Sequence, residues 1–148
     1  MAFSFYPGVK DCLKNLAELR RGSVISIKTF YQLSRTCYNI QSFTIEFKKI
    51  ISNGMADLIS VQRNLKHFDM MLYHDCSICG GMHYIPLSFI VNFSNLQELK
   101  LSFNLEECFV DFEELQDVIF PKLQVLKIRD EFPDDGSLER FIENNGKV

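Results

Sequence analysis

The chain has 148 residues, 47% of them apolar and 24% charged, with a net charge of −3, a balance that suits one folded domain. Lys and Arg are scattered, the densest pairs being Arg20-Arg21 and Lys48-Lys49, so the clustered basic face that phosphate binding needs is missing and nucleic acid is not an expected partner. The most apolar stretch, Tyr84 to Phe93, is broken by Pro86, Ser88 and Asn92; a bilayer span needs roughly 18 unbroken apolar residues, so a membrane is not expected either.

In chain order, MAFSFYPGVKDC lacks the basic n-region and long apolar h-region of a secretory signal. The five cysteines, Cys12, Cys37, Cys76, Cys79 and Cys108, are an odd number, which points to reduced thiols in the cytosol or nucleus. A weak motif then begins at Leu16 and Leu19, with Arg21 in its third place. Phe30, Leu33 and Cys37 share one helical face. The pattern apolar, two residues, apolar, one residue, apolar follows as Ile40, Phe43 and Ile45. A second helical stripe, Met55, Leu58, Ile59 and Gln62, ends in a polar residue. The pattern returns as Leu65, Phe68 and Met70.

The next segment is unusual. His74, Cys76, Cys79 and His83 place a C-x-x-C between two histidines within ten residues, beside Gly80-Gly81. Zinc takes four N or S ligands in a tetrahedron. Such a site would close only a very short loop, so incidental loop residues are the ordinary reading and zinc the alternative; no cofactor is expected. Pro86 suits a first helical turn. The pattern is cleanest as Leu96, Leu99 and Leu101, with Asn104 after it. Asp111 and Glu114 have capping-box spacing, and Phe112, Leu115 and Ile119 make the helical stripe. Pro121 directs Phe120 out of helical geometry and toward a strand. The last copy is Leu123, Leu126 and Ile128. Asp134 and Asp135 then precede a stripe of Leu138, Phe141 and Ile142, favourable at a helix N-terminus.

First positions are separated by 24, 25, 31 and 27 residues. A strand followed by a helix, repeated about every 20–29 residues, is the signature of leucine-rich repeats. The expected fold is therefore an α/β solenoid of about five repeats over residues 1–148, with strand motifs starting near 16, 40, 65, 96 and 123. Short parallel strands would line the concave side and helices the convex side. An ordinary doubly wound domain is the competing fold, but it favours longer Val/Ile-rich strands and glycine-rich turns.

The segment YQLSRTCYNIQSFTI resembles the cysteine-containing type of leucine-rich repeat, in which a helix ends in the Cys that Cys37 supplies here. The segments FYQLSRTCYNIQSFTIEF, ISNGMADLISVQRNLKHF, HYIPLSFIVNFSNLQELKLSF and FIENNGK resemble the leucine-rich part of fungal F-box proteins, in particular an expanded family of mycorrhizal fungi. The resemblance implies the substrate-recruiting part of a cullin-type ubiquitin ligase. It also implies a separate F-box for a Skp-type adaptor. Only a short stretch precedes Leu16, so the chain is expected to lack the F-box and that contact. A further strand would begin near Val148, and no polar cap is evident. Exposed apolar ends are therefore expected, with either self-association or a missing neighbouring repeat to cover them.

Residues between the apolar strand positions point out of the sheet. They are Glu18, Arg20, Ser42, Thr44, Glu46, His67, Asp69, Met71, Glu98, Lys100, Ser102, Val125, Lys127 and Arg129. This mixed face, running from acidic in the middle to basic toward the C-terminus, is the expected site for a protein or peptide ligand. Cys37 reads as a small buried residue rather than a nucleophile. His67 reads as a surface residue rather than a base. No phosphate-cradling loop or nucleophile elbow is present, so no enzymatic activity is expected. A repeat fragment without independent function is the remaining alternative.

Overall fold

The computed structural model describes residues 16–22, 27–47, 53–73, 87–105, 108–133 and 135–146. Five parallel strands form one sheet in the order β1-β2-β3-β4-β5. They are β1 (Glu18–Gly22), β2 (Ser42–Phe47), β3 (His67–Leu72), β4 (Glu98–Phe103) and β5 (Val125–Asp130). Each strand pairs with the next one along the chain. Helix α1 (Ile27–Ser34) joins β1 to β2, α2 (Asn53–Ser60) joins β2 to β3, and α3 (Ser137–Asn144) follows β5.

The registers match the sequence periods residue for residue. Phe43 lies opposite Phe68, Phe68 opposite Leu99, and Leu99 opposite Leu126; Ile45, Met70, Leu101 and Ile128 form the next row. Arg21 pairs with Ile45, so the weak first motif also makes a strand. Inward residues of β2, β3 and β4 are 0–1% exposed at both rows. They pack on Leu33, Leu58, Ile59, Leu87, Ile90 and Phe93 from the intervening segments. A phenylalanine chain threads this core. Phe68 touches Phe43, Phe89 and Phe93 at centroid distances of 6.2, 5.8 and 5.8 Å, and Phe141 touches Phe112 and Phe120 at 5.8 and 5.9 Å.

A backbone device marks the start of every strand. The carbonyls of Ala17, Gln41, Lys66 and Gln97 each accept two successive amides of the following unit, at 2.7–3.1 Å. The geometry recurs because each unit presents the same backbone to the next. It also gives each of these four carbonyls two backbone donors.

Several local expectations need correction. The segments before β4 and β5 hold short 310 helices, Leu87–Asn92 and Phe112–Leu115, instead of α-helices. Asp111 makes no side-chain capping bond and sits at φ 58°, in the left-handed region and not in the extended backbone usual for an N-cap. Ile119 is 67% exposed and Ile142 46%, so neither belongs to the buried stripe. With one 310 turn in place of about two α-helical turns between Phe112 and Ile119, Ile119 is carried past the buried face. Phe120 lies outside helical geometry and is buried, but it precedes the strand expected there, since β5 begins only at Val125. Leu126 and Ile128 are half-buried because no strand lies beyond β5 among the described residues.

Candidate partner-binding face

The same registers collect the outward residues into three rows. The first is Glu18, Ser42, His67, Glu98 and Val125. The second is Arg20, Thr44, Asp69, Lys100 and Lys127. The third is Glu46, Met71, Ser102 and Arg129, with Gly22 at its β1 end. All fourteen residues expected on this face fall on it, since alternate residues of in-register parallel strands share a side. Glu18, Arg20, His67, Lys127 and Arg129 are exposed. Ser102 is buried, at 7% exposure, and the rest are half-buried. With strands about 4.8 Å apart, and about 6.6 Å between alternate residues, the rows cover about 19 Å by 13 Å. That footprint matches three to four helical turns laid across the strands, about 5.4 Å each.

Charge is graded across the face. Glu46 and Asp69 make β2 and β3 acidic, while Lys127 and Arg129 make β5 basic. Between them, one Glu98 oxygen takes the Lys100 Nζ at 2.8 Å and the other lies 3.2 Å from His67 Nδ1. The hydrogen bond from Lys100 holds the Glu98 carboxyl below its ordinary range, against a smaller opposing push from burial. Lys100 is thus partly neutralised, and Lys127 and Arg129 have no ion-pair partner among the described residues.

The face is held by buried bridges that the apolar pattern does not reveal. The Gln62 side chain is 1% exposed. Its Oε1 accepts the Ile40 amide at 2.9 Å, and its Nε2 donates to the carbonyls of Cys37 at 2.5 Å and Leu58 at 2.9 Å. Asn145 repeats the arrangement one end further along. Its Oδ1 accepts the Phe120 amide at 2.8 Å, and its Nδ2 donates to Val118 at 2.9 Å and Phe141 at 3.0 Å. Each side chain clamps the segment leading into the previous strand. Gln62 stands three residues before Leu65, as Cys37 does before Ile40. Asn64 donates to Asn39 and Lys122 to Asn95, linking the residues just before the first apolar position of neighbouring motifs. The polar residue that recurs one place before each first motif position, as Asn39, Asn64, Asn95 and Lys122, signals this second set of links but not the Gln62 and Asn145 bridges.

Cys37 is fully buried, and burial pushes its thiol up to about 11, which suits a packing residue. His74, Cys76, Cys79 and His83 lie outside the described residues. Among the described residues, no group of three or more His, Cys, Asp or Glu could hold a metal ion, and no helix is long and apolar enough to cross a membrane.

No family model matches the sequence, and no curated protein matches it. Among solved structures the chain is similar to the tropomodulin C-terminal domain from Caenorhabditis elegans. The TM-score is 0.48 and the identity 13%, over 93% of this chain and 89% of that one.

Proposed function

We propose that the chain is a leucine-rich-repeat solenoid acting as a non-enzymatic protein-interaction module. It takes a protein or peptide on the face that carries Thr44, Asp69, Lys100 and Lys127. The observation that carries this reading is the alignment of all fourteen outward residues in three rows, graded from acidic to basic. A graded polar face sets register and association rate for a partner of opposed polarity. Its footprint is small beside the roughly 800 Å² per partner of a standard interface, so neighbouring loops add to the contact.

The finer reading rests on the resemblance to fungal F-box proteins: a substrate receptor of a cullin-type ligase, working in the cytosol or nucleus. Buried Cys37 at the end of its repeat agrees with that resemblance. Co-purification with a Skp-type adaptor would separate a ligase subunit from a free binding module.

The test of the module itself uses two substitutions on the face, Thr44→Arg and Asp69→Arg, and two on the helical side, Glu113→Lys and Glu114→Lys. All four positions are half-buried or exposed, where surface changes cost within about 0.5 kcal/mol. A partner captured by the native protein is expected to be lost by the first pair and kept by the second, with unchanged melting. Equal retention by both pairs would refute the reading.

A further inference from the structure

We propose that the open edge of β5 is a second docking surface, and that it takes an extended peptide whose residues alternate between acidic and apolar. This inference goes beyond the sheet-face reading, with which it shares Lys127 and Arg129, and its readout is the backbone edge of β5 and not the face.

Among the described residues β5 pairs with β4 on one side and no strand lies on its other side, which is open in that sense. The Val125 and Glu131 amides donate toward β4, to the carbonyls of Gln97 and Phe103, each at 3.1 Å. Because amides alternate in direction along a strand, those of Leu126 and Ile128 turn to the open side. This is the geometry that accepts an added strand.

The two faces of the edge then state what that strand must carry. On one face Lys127 and Arg129 are exposed and have no ion-pair partner among the described residues. On the other, Leu126 and Ile128 are half-buried, while their register mates Leu99 and Leu101 are fully buried. A strand alternating acidic and apolar residues would set its acids beside Lys127 and Arg129. Its apolar side chains would cover Leu126 and Ile128. Opposite charges on neighbouring strands stabilise a pair and like charges destabilise it. The edge template ends at Asp130, whose φ of 71° breaks the extended backbone.

The same charges disfavour a second copy. Edge-to-edge pairing of two β5 strands would set Lys127 and Arg129 against themselves. Continuing the register onto β1 of another copy would set Lys127 beside Arg20. Basic residues on an edge strand are a known guard against such pairing, and here they leave an acidic strand as the compatible occupant.

The experiment measures binding of a labelled peptide of about eight residues, a typical strand length, that alternates Glu and Val. Amide exchange at Leu126 and Ile128 is followed by NMR on the full chain. The alternating peptide should bind and slow exchange at both amides. A peptide of the same composition with its Glu and Val in separate blocks should bind more weakly. Lys127→Glu with Arg129→Glu should weaken binding about tenfold, and a Lys/Val peptide should recover it. Equal binding of the block peptide, or binding without slowed exchange at Leu126 and Ile128, would overturn the proposal. So would no binding at about 1 mM peptide, or a doubled mass in solution with those amides already protected.

Discussion

Replacing Gln62 by methionine keeps the side-chain length and removes both polar ends of its bridge. The Ile40 amide then loses its acceptor and the Cys37 carbonyl its donor. Ile40 and Cys37 are fully buried, so water cannot stand in. A buried polar group left without a partner costs about 1–3 kcal/mol. Two such groups, offset in part by the thioether's apolar burial, give about 2–4 kcal/mol. For a chain of this size each kcal/mol lowers the melting temperature by about 2–4 °C, so the fall should be about 5–15 °C. Urea unfolding followed by circular dichroism is the assay, with the slope unchanged and the midpoint lowered. A change below about 0.5 kcal/mol, the size of an ordinary surface substitution, would refute the claim that this side chain joins two units.

Asn145→Leu should cost about as much as Gln62→Met, because it orphans the Phe120 amide and the Val118 carbonyl. The double variant should show the sum of the two in the same urea assay, since the bridges share no partner. Phe68→Ala removes the ring that joins Phe43, Phe89 and Phe93 and should cost about 3–5 kcal/mol. Asp135 accepts the Ser137 amide at 3.0 Å, and the hydrogen bond from the Ser137 hydroxyl holds its carboxyl below the ordinary range. Asp135→Ala should therefore cost about 0.5 kcal/mol at neutral pH, the low end for a hydrogen bond because the carboxylate is exposed and screened. That gap should be present above the unfolded Asp value of about 3.9 and close as pH falls through the lowered folded value, as measured by melting against pH. Cys37, with its thiol raised to about 11, should resist alkylation in the native protein at pH 8 and react once urea unfolds it, as read by mass spectrometry of its peptide.

The strand positions were legible because side chains alternate with a period of two and the core accepts only one of the two faces. Ile40, Phe43 and Ile45 announce their burial, and Ser42, Thr44 and Glu46 follow by alternation. The outward rows therefore follow from the sequence alone. Arg21 shows the limit of reading by side chain alone. It breaks the apolar pattern yet pairs with Ile45, because the backbone ladder with β2 specifies the register. The helical side was less legible. Ile119 matches a helical stripe by spacing, but the segment makes a single 310 turn and leaves it exposed. Asp111 and Glu114 match a capping box by spacing, but Asp111 sits in the left-handed region and makes no capping bond.

Gln62 and Asn145 stayed hidden for a different reason. A polar residue at the end of an apolar stripe reads as a solvated boundary, and nothing in its type says which backbone groups need a partner. Those needs arise from the turn between helix and strand, where the Ile40 and Phe120 amides belong to neither element. The Glu98 cluster depended likewise on two strands coming into register, with His67 and Lys100 separated in sequence and joined only through the sheet.

Oxidative footprinting of the side chains, with and without a bound protein partner, tests the sheet face most directly. Met71 and His67 on the face should be oxidised more slowly in the complex, while Tyr31 and Ile142 on the helices should react at unchanged rates. Protection of Tyr31 and Ile142 with no change at Met71 and His67 would contradict the account and move the binding surface to the other side of the molecule.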